Sequence, residues 1–467
     1  MADPADILIV GAGPAGMAAA VEASDLGLSV IVADDQPAPG GQVWRGVETV
    51  AERGDLDIFG ADYRKGVAAV RRFRDANVIY RPSARVIGIE PDENGGPTDV
   101  LLLGDGRAHA IAAHRVIIAT GAYERPTPFP GWTLPGVMTL GGAQTALKAA
   151  DLAPETPTVV AGQGPLLFLL VNQMARAGIE PAAILRLDGA PSLGAIARSG
   201  PRALLAADDL AKGVVWMAKT KAAASAVVSL NAVGDKRLER VEWRDAAGNS
   251  GAIEARTLLV HDGVVPNAQL TRALKLPHRF DQRAAAWRPN VDPNNGAFAA
   301  APSLFVAGDC AGVNGWSAAA AMGARAAKAA ARSLGKSAPE AFALRARHDR
   351  ARASRPLLET LYPPSPAFEE PTDETIVCRC EAVTAGAVRK AASAGAMGPN
   401  QLKAFLRAGM GPCQGRMCAQ TVSRVLAASM SKPEADVGLM RVRMPVAPVT
   451  VGEMAGLNVT PMELPRS

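Results

Sequence analysis

Three features are scarce in this sequence of 467 residues, and each scarcity excludes a class of protein. Aromatic residues make up only 4% of the chain, which argues against the stacking surfaces that bind single-stranded nucleic acid. No apolar stretch approaches the ~18 residues of a membrane helix, and the richest run, residues 164–171, is too short. Five cysteines in so long a chain are not needed as disulfide staples. We therefore expect a globular protein of several domains, with no membrane span and no nucleic-acid partner.

The charge is distributed unevenly along the chain. Residues 376–467 contain 11 Lys and Arg against 5 Asp and Glu, a net charge of +6, whereas the whole chain carries +5. The same region contains four of the five cysteines. The basic character therefore belongs to this cysteine-bearing region and does not indicate a nucleic-acid partner.

A glycine-rich turn lies between the first predicted strand and the first predicted helix. Residues 6–10 form a short apolar run typical of a buried parallel strand, and GAGPAG follows at 11–16. A second predicted strand over 28–33 is followed by Asp34, 23 positions after the first glycine of the motif. This strand–turn–helix context with a following acid is typical of a dinucleotide-binding turn; the alternative is a glycine turn without a ligand.

Each residue of this motif has a physical role in such a site. Gly11 allows the tight turn, Gly13 lets a pyrophosphate approach, and Gly16 allows the helix to pack closely on the strand. The helix N-terminus offers N–H donors to the phosphates. The carboxylate of Asp34 can accept hydrogen bonds from ribose hydroxyls.

Three further segments resemble the flavoproteins that have two dinucleotide domains. A strand over 116–120 leads into Thr120-Gly121, and a strand near 305 ends at Gly308-Asp309 before an alanine-rich helix. The resemblance implies that Asp309 reaches the ribityl chain of FAD. Gly40-Gly41-Gln42 matches a flavin-contacting loop of the same superfamily.

A second nucleotide-type unit lies between these segments. A strand over 158–161 precedes the loop GQGPLL at 162–167, in which Leu167 occupies the position of the third glycine. The next strand ends at Arg186, where an NAD-binding unit has an acid. This pattern leaves three alternatives open: a 2′-phosphate ligand, another nucleotide, or a vestigial site.

Four cysteines form a cluster, Cys378-Arg379-Cys380 and then Cys413 and Cys418. Four thiolates suit a zinc ion or an iron–sulfur cluster. A C-x-C pair with a C-x4-C pair is less typical of structural zinc, and the basic region complements an anionic cluster. The pattern favours [2Fe–2S], with zinc and free thiols as alternatives. Cys310 stands alone and is expected to be a small buried core residue.

The chain resembles a known family over essentially its whole length. Residues 377–421 resemble the [2Fe–2S] domain of bacterioferritin-associated ferredoxin, in the version with a C-x4-C second pair. The rest is similar to the α subunits of the opine oxidase, hydrogen cyanide synthase and proline or hydroxyproline dehydrogenase group, which also lack the third glycine of the second loop. This similarity lies in residues 40–45, 119–126, 128–136, 162–167 and 441–445.

The resemblance implies an α/β fold in which a Rossmann-like FAD domain is split by a second Rossmann-like domain and followed by a small, mostly α-helical [2Fe–2S] domain. The expected divisions are an FAD domain of 1–127 and 281–337, an insertion of 128–280, a linker of 338–375, a cluster domain of 376–435 and a C-terminal docking tail of 436–467.

The resemblance also implies which residues bind the cofactors. The cluster ligands are the four clustered cysteines. The FAD contacts are Gly11, Gly13, Pro14, Ala15, Gly16, Asp34, Asp35, Gly41, Gln42, Arg45, Val86, Thr120, Gly121, Gly308 and Asp309. The second nucleotide site, for NAD(P) or ATP, comprises Gly162, Gly164, Pro165, Leu166 and Arg186. Glu124 and Arg125 are weak candidates for catalysis, with packing and ion pairing as the alternative.

In function, the resemblance implies the electron-transferring α subunit of an amino-acid, opine or imino-acid dehydrogenase. Oxidation takes place on a β subunit resembling D-amino acid oxidase, and the electrons pass to an acceptor. Further expectations are an FMN at a subunit interface and a small third subunit. The alternatives are a stand-alone NAD(P)H:acceptor oxidoreductase and a scaffold subunit that carries cofactors. The N-terminus lacks a secretion signal, so we expect a cytoplasmic protein, or one held at the inner membrane through its acceptor.

Overall fold

The computed structural model describes residues 3–92, 95–188, 202–339 and 342–455, together with residues 194, 197 and 457. The first part of the chain alternates strands and helices and then forms an antiparallel ribbon. Its elements are β1 Ala5–Val10, α1 Pro14–Asp25, β2 Val30–Ala33, α2 Val47–Arg53, α3 Leu56–Phe59, α4 Ala61–Arg74, β3 Ile79–Arg81, β4 Arg85–Glu90, β5 Thr98–Gly104 and β6 Arg107–Ile118.

The middle of the chain contains a second α/β unit. Its elements are β7 Ala122–Glu124, β8 Val137–Thr139, α5 Leu140–Ala150, β9 Thr158–Gly162, α6 Gly164–Arg176, β10 Ala183–Arg186, α7 Ala207–Ala218, β11 Val227–Val233, β12 Arg240–Asp245, β13 Ser250–Glu254, β14 Thr257–His261 and β15 Val264–Pro266. The chain then returns to the first unit through α8 Gln269–Ala273, β16 His278–Asp281, β17 Ala286–Pro289, β18 Ala297–Phe298, β19 Ala301–Val306 and α9 Trp316–Ser333.

The C-terminal part is mostly helical. Its elements are α10 Phe342–Ala351, α11 Arg355–Leu361, β20 Ile376–Cys378, β21 Val383–Thr384, α12 Ala385–Ser393, α13 Pro399–Leu406, α14 Ala419–Ser429, α15 Glu434–Val437 and α16 Val451–Ala455. None of the described helices is both long enough and apolar enough to cross a bilayer.

The first unit is built on an eight-stranded sheet. Six of its strands follow the order β18-β19-β6-β1-β2-β3, and β4 and β5 join through antiparallel pairing of β5 with β6. β1 pairs in parallel with both β2 and β6. The carboxyl ends of these strands meet at one edge of the sheet, which is where ligands bind in open α/β sheets.

The abundance of alanine is explained by close helix packing against this sheet. Helices α1 and α9 lie so close that a methyl group added at Gly323 would come within 2.0 Å of the backbone oxygen of Ala15. Most of the buried residues of α9 are alanines. Small side chains therefore let α1 and α9 pack closely together on the sheet.

The second unit has a four-stranded parallel sheet in the order β10-β9-β14-β8. A separate antiparallel sheet of β11, β12 and β13 packs beside it. The two short strands at the ends of this unit, β7 and β15, pair with each other. The mixed sheet of the first unit and the parallel sheet of the second unit are therefore joined by a double crossover of the chain, as the predicted fold class requires.

In its described part, the segment between α9 and the cysteine region is folded and packs against the rest of the protein. It includes α10 and α11, and Phe368 is buried against Phe129 with ring centroids 5.7 Å apart. Ser365 is buried, and its backbone N–H donates to the Asp262 carboxylate at 3.1 Å. This segment therefore packs along the second unit.

The cysteine region has its own small core, built around Val377, Leu402, Val422 and Leu426. The chain that follows returns to the first unit. The backbone N–H of Val446 donates to the Ile87 oxygen at 2.9 Å, and Val446 is buried there. The predicted docking tail is thus packed on β4 in its described part, while residue 456 and residues 458–467 lie outside the described residues.

Candidate cofactor-binding site

One large cavity, of about 1640 Å³, lies at the carboxyl ends of the strands. It is lined by the glycine loops of both α/β units, by part of segment 354–364, and by Arg416 of the cysteine region. A pocket for a drug-sized ligand measures roughly 300–1,000 Å³. The cavity is therefore large enough for an extended dinucleotide and a further ligand.

The structure brings most of the predicted FAD contacts together on one wall. The predicted FAD contacts that line the cavity are Gly11, Gly13, Pro14, Ala15, Asp34, Asp35, Gly41, Gln42, Arg45, Val86, Thr120, Gly121 and Asp309. Two predicted residues lie behind this wall. A methyl group at Gly16 would lie 1.8 Å from the Gly11 oxygen, and one at Gly308 would lie 2.6 Å from the Ala15 side chain. Both glycines therefore serve close packing behind the wall.

The glycine loops leave space of the kind that a phosphate group requires. Gly13 has an extended backbone, and a methyl group added there would contact only the Cα atom of Gly41, at 3.7 Å. Gly41 has a φ of +59°, which favours glycine. The loop therefore exposes backbone at the start of α1, where N–H groups and the helix dipole favour an anion.

Asp34 connects the two loops on this wall. Its carboxylate accepts hydrogen bonds from the backbone N–H of Ala12 at 3.0 Å and of Gln36 at 3.1 Å. Burial raises the pKa of Asp34 from its ordinary value of 3.8 to about 6, against the lowering effect of these hydrogen bonds. Each carboxylate oxygen can accept a second hydrogen bond, as a ribose would donate.

Two further polar groups fit a bound dinucleotide. The Nε atom of Arg45 is buried and has no hydrogen-bond partner among the described residues. Because buried donors are normally hydrogen-bonded, this group is suited to donate to a phosphate oxygen. Asp309 accepts from the backbone N–H of Asn314 at 2.8 Å and of Gly315 at 3.1 Å, and burial raises its pKa. The residues present therefore fit FAD.

The second glycine loop opens into the same cavity. Gly164, Pro165, Leu166 and Arg186 line it, whereas Gly162 lies under the His261 backbone, with space for no side chain. The Arg186 guanidinium pairs with the Asp188 carboxylate, with its Nε atom 3.1 Å from Oδ1.

The sequence reasoning missed Asp188, which is buried and lies two residues beyond the expected position of an acid. The signal available in the sequence was an acid only two residues after Arg186. Arg186 therefore carries a neutralised charge, which disfavours it as a dedicated 2′-phosphate ligand.

The two candidates for catalysis make structural contacts. Glu124 accepts from the backbone N–H of Gly141 at 3.0 Å and lies 2.7 Å from Nδ1 of the buried His261. The guanidinium of Arg125 donates to the backbone oxygens of Asp262 at 3.2 Å, Ala284 at 2.6 Å and Ala285 at 2.9 Å. These contacts hold β7 to the neighbouring segments.

The four clustered cysteines approach one another in two pairs. Cys380 Sγ lies 3.7 Å from Cys413 Sγ, and the neighbouring Cys418 thiol lowers the pKa of Cys378 to about 6. Among the described residues, no set of three or more His, Cys, Asp or Glu side chains converges on one metal ion. A single zinc ion needs four ligands around one point, whereas each iron of a two-iron cluster takes two thiolates. The two close pairs of thiols therefore suit the two irons of a [2Fe–2S] cluster.

The loop between Cys413 and Cys418, here called the cysteine loop, contacts the wall of the cavity. The Tyr123 hydroxyl donates to the backbone oxygen of Arg416 at 3.1 Å, and the Gln269 side chain approaches the Cys413 oxygen at 3.4 Å. Farther from the cavity, Trp132 Nε1 donates to the Ile376 oxygen at 2.7 Å. The loop between Cys413 and Cys418 is therefore part of the cavity wall.

Cys310 is buried in the core of the first unit, as expected, and burial raises the pKa of its thiol to about 11.

Comparison with known proteins agrees with both halves of this arrangement. Residues 5–324 match the family described as pyridine nucleotide-disulphide oxidoreductase. Residues 376–428 match the BFD-like [2Fe-2S] binding domain. The prediction of a flavin-dependent oxidoreductase with a C-terminal cluster domain is confirmed.

Relatives and a solved structure extend over nearly the whole chain. The chain is 40% identical to the A subunit of opine oxidase from Agrobacterium tumefaciens, over 98% of this chain and 93% of that protein. It is 33% identical to the HcnB subunit of hydrogen cyanide synthase from Pseudomonas aeruginosa, over 97% and 98%. The crystal structure of L-proline dehydrogenase from P. horikoshii shares the fold, with a TM-score of 0.70 and 19% identity over 96% of this chain and 79% of that one. The chain belongs to the family of flavin-dependent oxidoreductase subunits that includes HcnB and the A subunit of opine oxidase.

Proposed function

We propose that this chain is the FAD- and [2Fe–2S]-carrying α subunit of a heteromeric amino-acid, opine or imino-acid dehydrogenase. In this proposal the substrate is oxidised on a partner β subunit of the D-amino-acid-oxidase type. The α subunit passes the electrons to an acceptor.

The single observation that carries the proposal is the contact between the cavity wall and the cysteine loop. Tyr123, which follows the Thr120-Gly121 turn, holds the Arg416 oxygen at 3.1 Å, and Arg416 lies between two cluster cysteines. When bound, a flavin supplies two-electron chemistry and a two-iron cluster supplies one-electron transfer. A wall shared by the two sites supports electron exchange between them.

The chain's own residues have defined tasks in this proposal. The glycine loop and Arg45 bind the pyrophosphate, Asp34 orients the adenosine ribose, and Asp309 orients the ribityl chain. The four cysteines hold the cluster, and the backbone contacts of Tyr123 and Gln269 keep the cysteine loop against the cavity.

The relatives support the multi-subunit part of the proposal. HcnB and the opine oxidase relative are, by name, subunits of larger enzymes, and their identity with this chain extends over almost its full length. A further relative, the alpha subunit of sarcosine oxidase from Rhizobium meliloti, is 25% identical over 97% of this chain and 42% of that protein. All three names refer to nitrogen-containing substrates or products, which supports a donor with a CH–NH bond.

Purification of the native complex tests the proposal. The chain should co-purify with a second flavoprotein, and the complex should reduce an artificial one-electron acceptor when an amino acid or opine is supplied. The isolated chain should contain flavin and iron but should not oxidise these substrates. A native chain that purifies alone and still oxidises an amino acid would contradict the division of labour.

A second candidate function is a stand-alone NAD(P)H:acceptor oxidoreductase. It is favoured by the opening of both glycine loops into one cavity. Rapid mixing of the FAD-loaded chain with NADH and NADPH decides the matter. Bleaching of the flavin absorbance within seconds would favour this function, and unchanged absorbance would eliminate it.

A further inference from the structure

A buried lysine on α5 lines the cavity beside the loop that follows Gly41. Lys148 lies on α5, where only 3% of its surface is exposed, and it lines the cavity together with Gln144, one turn earlier on the same helix. Its ammonium group donates to the backbone oxygens of Val43 at 3.0 Å and Gln42 at 3.3 Å.

The surroundings of this ammonium group are aromatic. Its nitrogen lies 5.1 Å from the ring centroid of Tyr63 and 5.9 Å from that of Phe59. Gln144 donates to the side-chain oxygen of Gln173 at 2.6 Å, and Gln173 in turn donates to the Phe59 oxygen at 2.8 Å. Aromatic rings therefore lie beside the Lys148 ammonium group, and hydrogen-bonded amide groups lie next to them.

Within the described part of the chain, no carboxylate balances this cation, because none of the ion pairs formed there includes Lys148. Asp62, an acidic residue of the same cavity, is already engaged by Lys65 at 2.7 Å and by Lys212 at 3.4 Å. Arg45 adds a second positive charge in the neighbourhood. A buried charge without a counter-charge is costly, so an anionic partner from the ligand side would stabilise it.

The electrostatics of Lys148 agree with this geometry. Burial, with a smaller effect from Arg45, lowers the pKa of Lys148 to about 7. An anion beside the ammonium group would raise that pKa again, since an opposite charge favours the charged form.

We propose that Lys148 is the anchor of an anion-binding subsite, which takes a carboxylate or phosphate group of a molecule in the cavity. The aromatic rings of Phe59 and Tyr63 would pack against the apolar part of that molecule, and Gln144 would stand beside it. The anion could be a phosphate of the bound dinucleotide or the carboxylate of a separate small molecule. This goes beyond the proposed function, which places substrate oxidation on the partner subunit.

The test uses the full-length chain and compares Lys148→Met with Lys212→Met. Lys212 lines the same cavity, but Asp62 and Asp209 already neutralise it, at 3.4 Å and 3.1 Å. FAD is titrated into the apo chains, and pyruvate is then titrated into the chains saturated with FAD, by calorimetry. Because the change removes a hydrogen bond to a charged group, the loss of Lys148 should weaken binding about tenfold or more.

Two outcomes support the subsite and identify its source. Weaker FAD binding by the Lys148 variant alone identifies a phosphate, and unchanged FAD binding with lost pyruvate binding identifies a separate carboxylate. Equal binding of both probes by wild type and Lys148→Met would overturn the proposal and leave Lys148 as a tie between α5 and the 42–43 loop.

Two further measurements keep the test decisive. If Lys148→Met does not fold, Lys148→Gln repeats the titrations with a side chain that is uncharged but still donates to a carbonyl. Wild-type FAD binding is measured first, because its absence would count against the FAD part of the proposed function. The pyruvate titration of the apo chain would then still decide the role of Lys148.

Discussion

Replacement of Gly13 by valine separates ligand binding from folding more cleanly than any other change in the glycine loop. Gly13 has φ −76° and ψ −175°, an extended conformation that valine adopts without strain. An added Cβ would meet only the Gly41 Cα atom, at an ordinary contact distance of 3.7 Å. The branched methyl groups would therefore occupy the space left for the pyrophosphate, rather than clash with the protein.

The magnitudes follow from this geometry. Valine is a poorer helix N-cap than glycine, which costs roughly 1 kcal/mol of unfolding free energy and lowers the melting temperature of the apo chain by about 1 °C. Forcing a ligand against added methyl groups costs about 1–3 kcal/mol by analogy with overpacked cores. At about 1.4 kcal/mol per tenfold, the upper value weakens FAD binding by about 100-fold.

The assay is a fluorescence titration of FAD into the apo chain, with thermal unfolding measured on the same sample. The control is Gly213→Val, a glycine of α7 on the second-unit side of the cavity, where an added Cβ meets nothing within 4 Å. This control should bind FAD within about twofold of wild type. Wild-type FAD affinity in Gly13→Val would refute the assignment of the pyrophosphate to this loop.

Three further predictions concern other parts of the molecule. Because burial raises the pKa of Asp34 from 3.8 to about 6, the apo chain should gain stability from this group as the pH falls from 6 towards 4, by thermal unfolding. FAD affinity should weaken over the same range, since a protonated carboxyl loses acceptor capacity; Asp34→Asn should abolish both trends. In metal analysis, the wild-type chain should hold about two iron atoms and no zinc, and the Cys413→Ser chain should lose the iron. Stoichiometric zinc in the wild-type chain would contradict the cluster assignment. Unchanged turnover of the complex carrying Cys413→Ser would favour a scaffold role. Tyr123→Phe removes the contact with Arg416 and should cost about 1 kcal/mol in denaturant unfolding and shift the reduction potential of the cluster.

Much of the site was predictable because the residues that form it occupy fixed places in a βαβ unit. A turn that follows a buried strand and starts a helix must lie at the carboxyl edge of the sheet, so Gly11, Gly13 and Asp34 fall together by local geometry. The cysteine spacing likewise identified the cluster region, which the family match confirms. The predicted domain limits stay predictions.

The predictions weakened where the partner of a side chain decides its chemistry. Arg186 was read from its position in the strand, but Asp188 neutralises it, and this pairing depends on how the chain turns after β10. Glu124 was a candidate for catalysis, yet it lies beside His261, 137 residues away in the chain, and its carboxylate binds the start of α5.

The sequence by itself determined the two nucleotide folds, the cysteine cluster and the family, because these are set by short motifs with fixed spacing. Only the tertiary structure decided that both glycine loops and the loop before Cys418 share one cavity, because that depends on the packing of three separate units. It also decided the environment of Lys148, which no local motif marks: a lysine on an alanine-rich helix reads as a surface residue until the loop at 42–43 and the rings of α3 and α4 are placed around it.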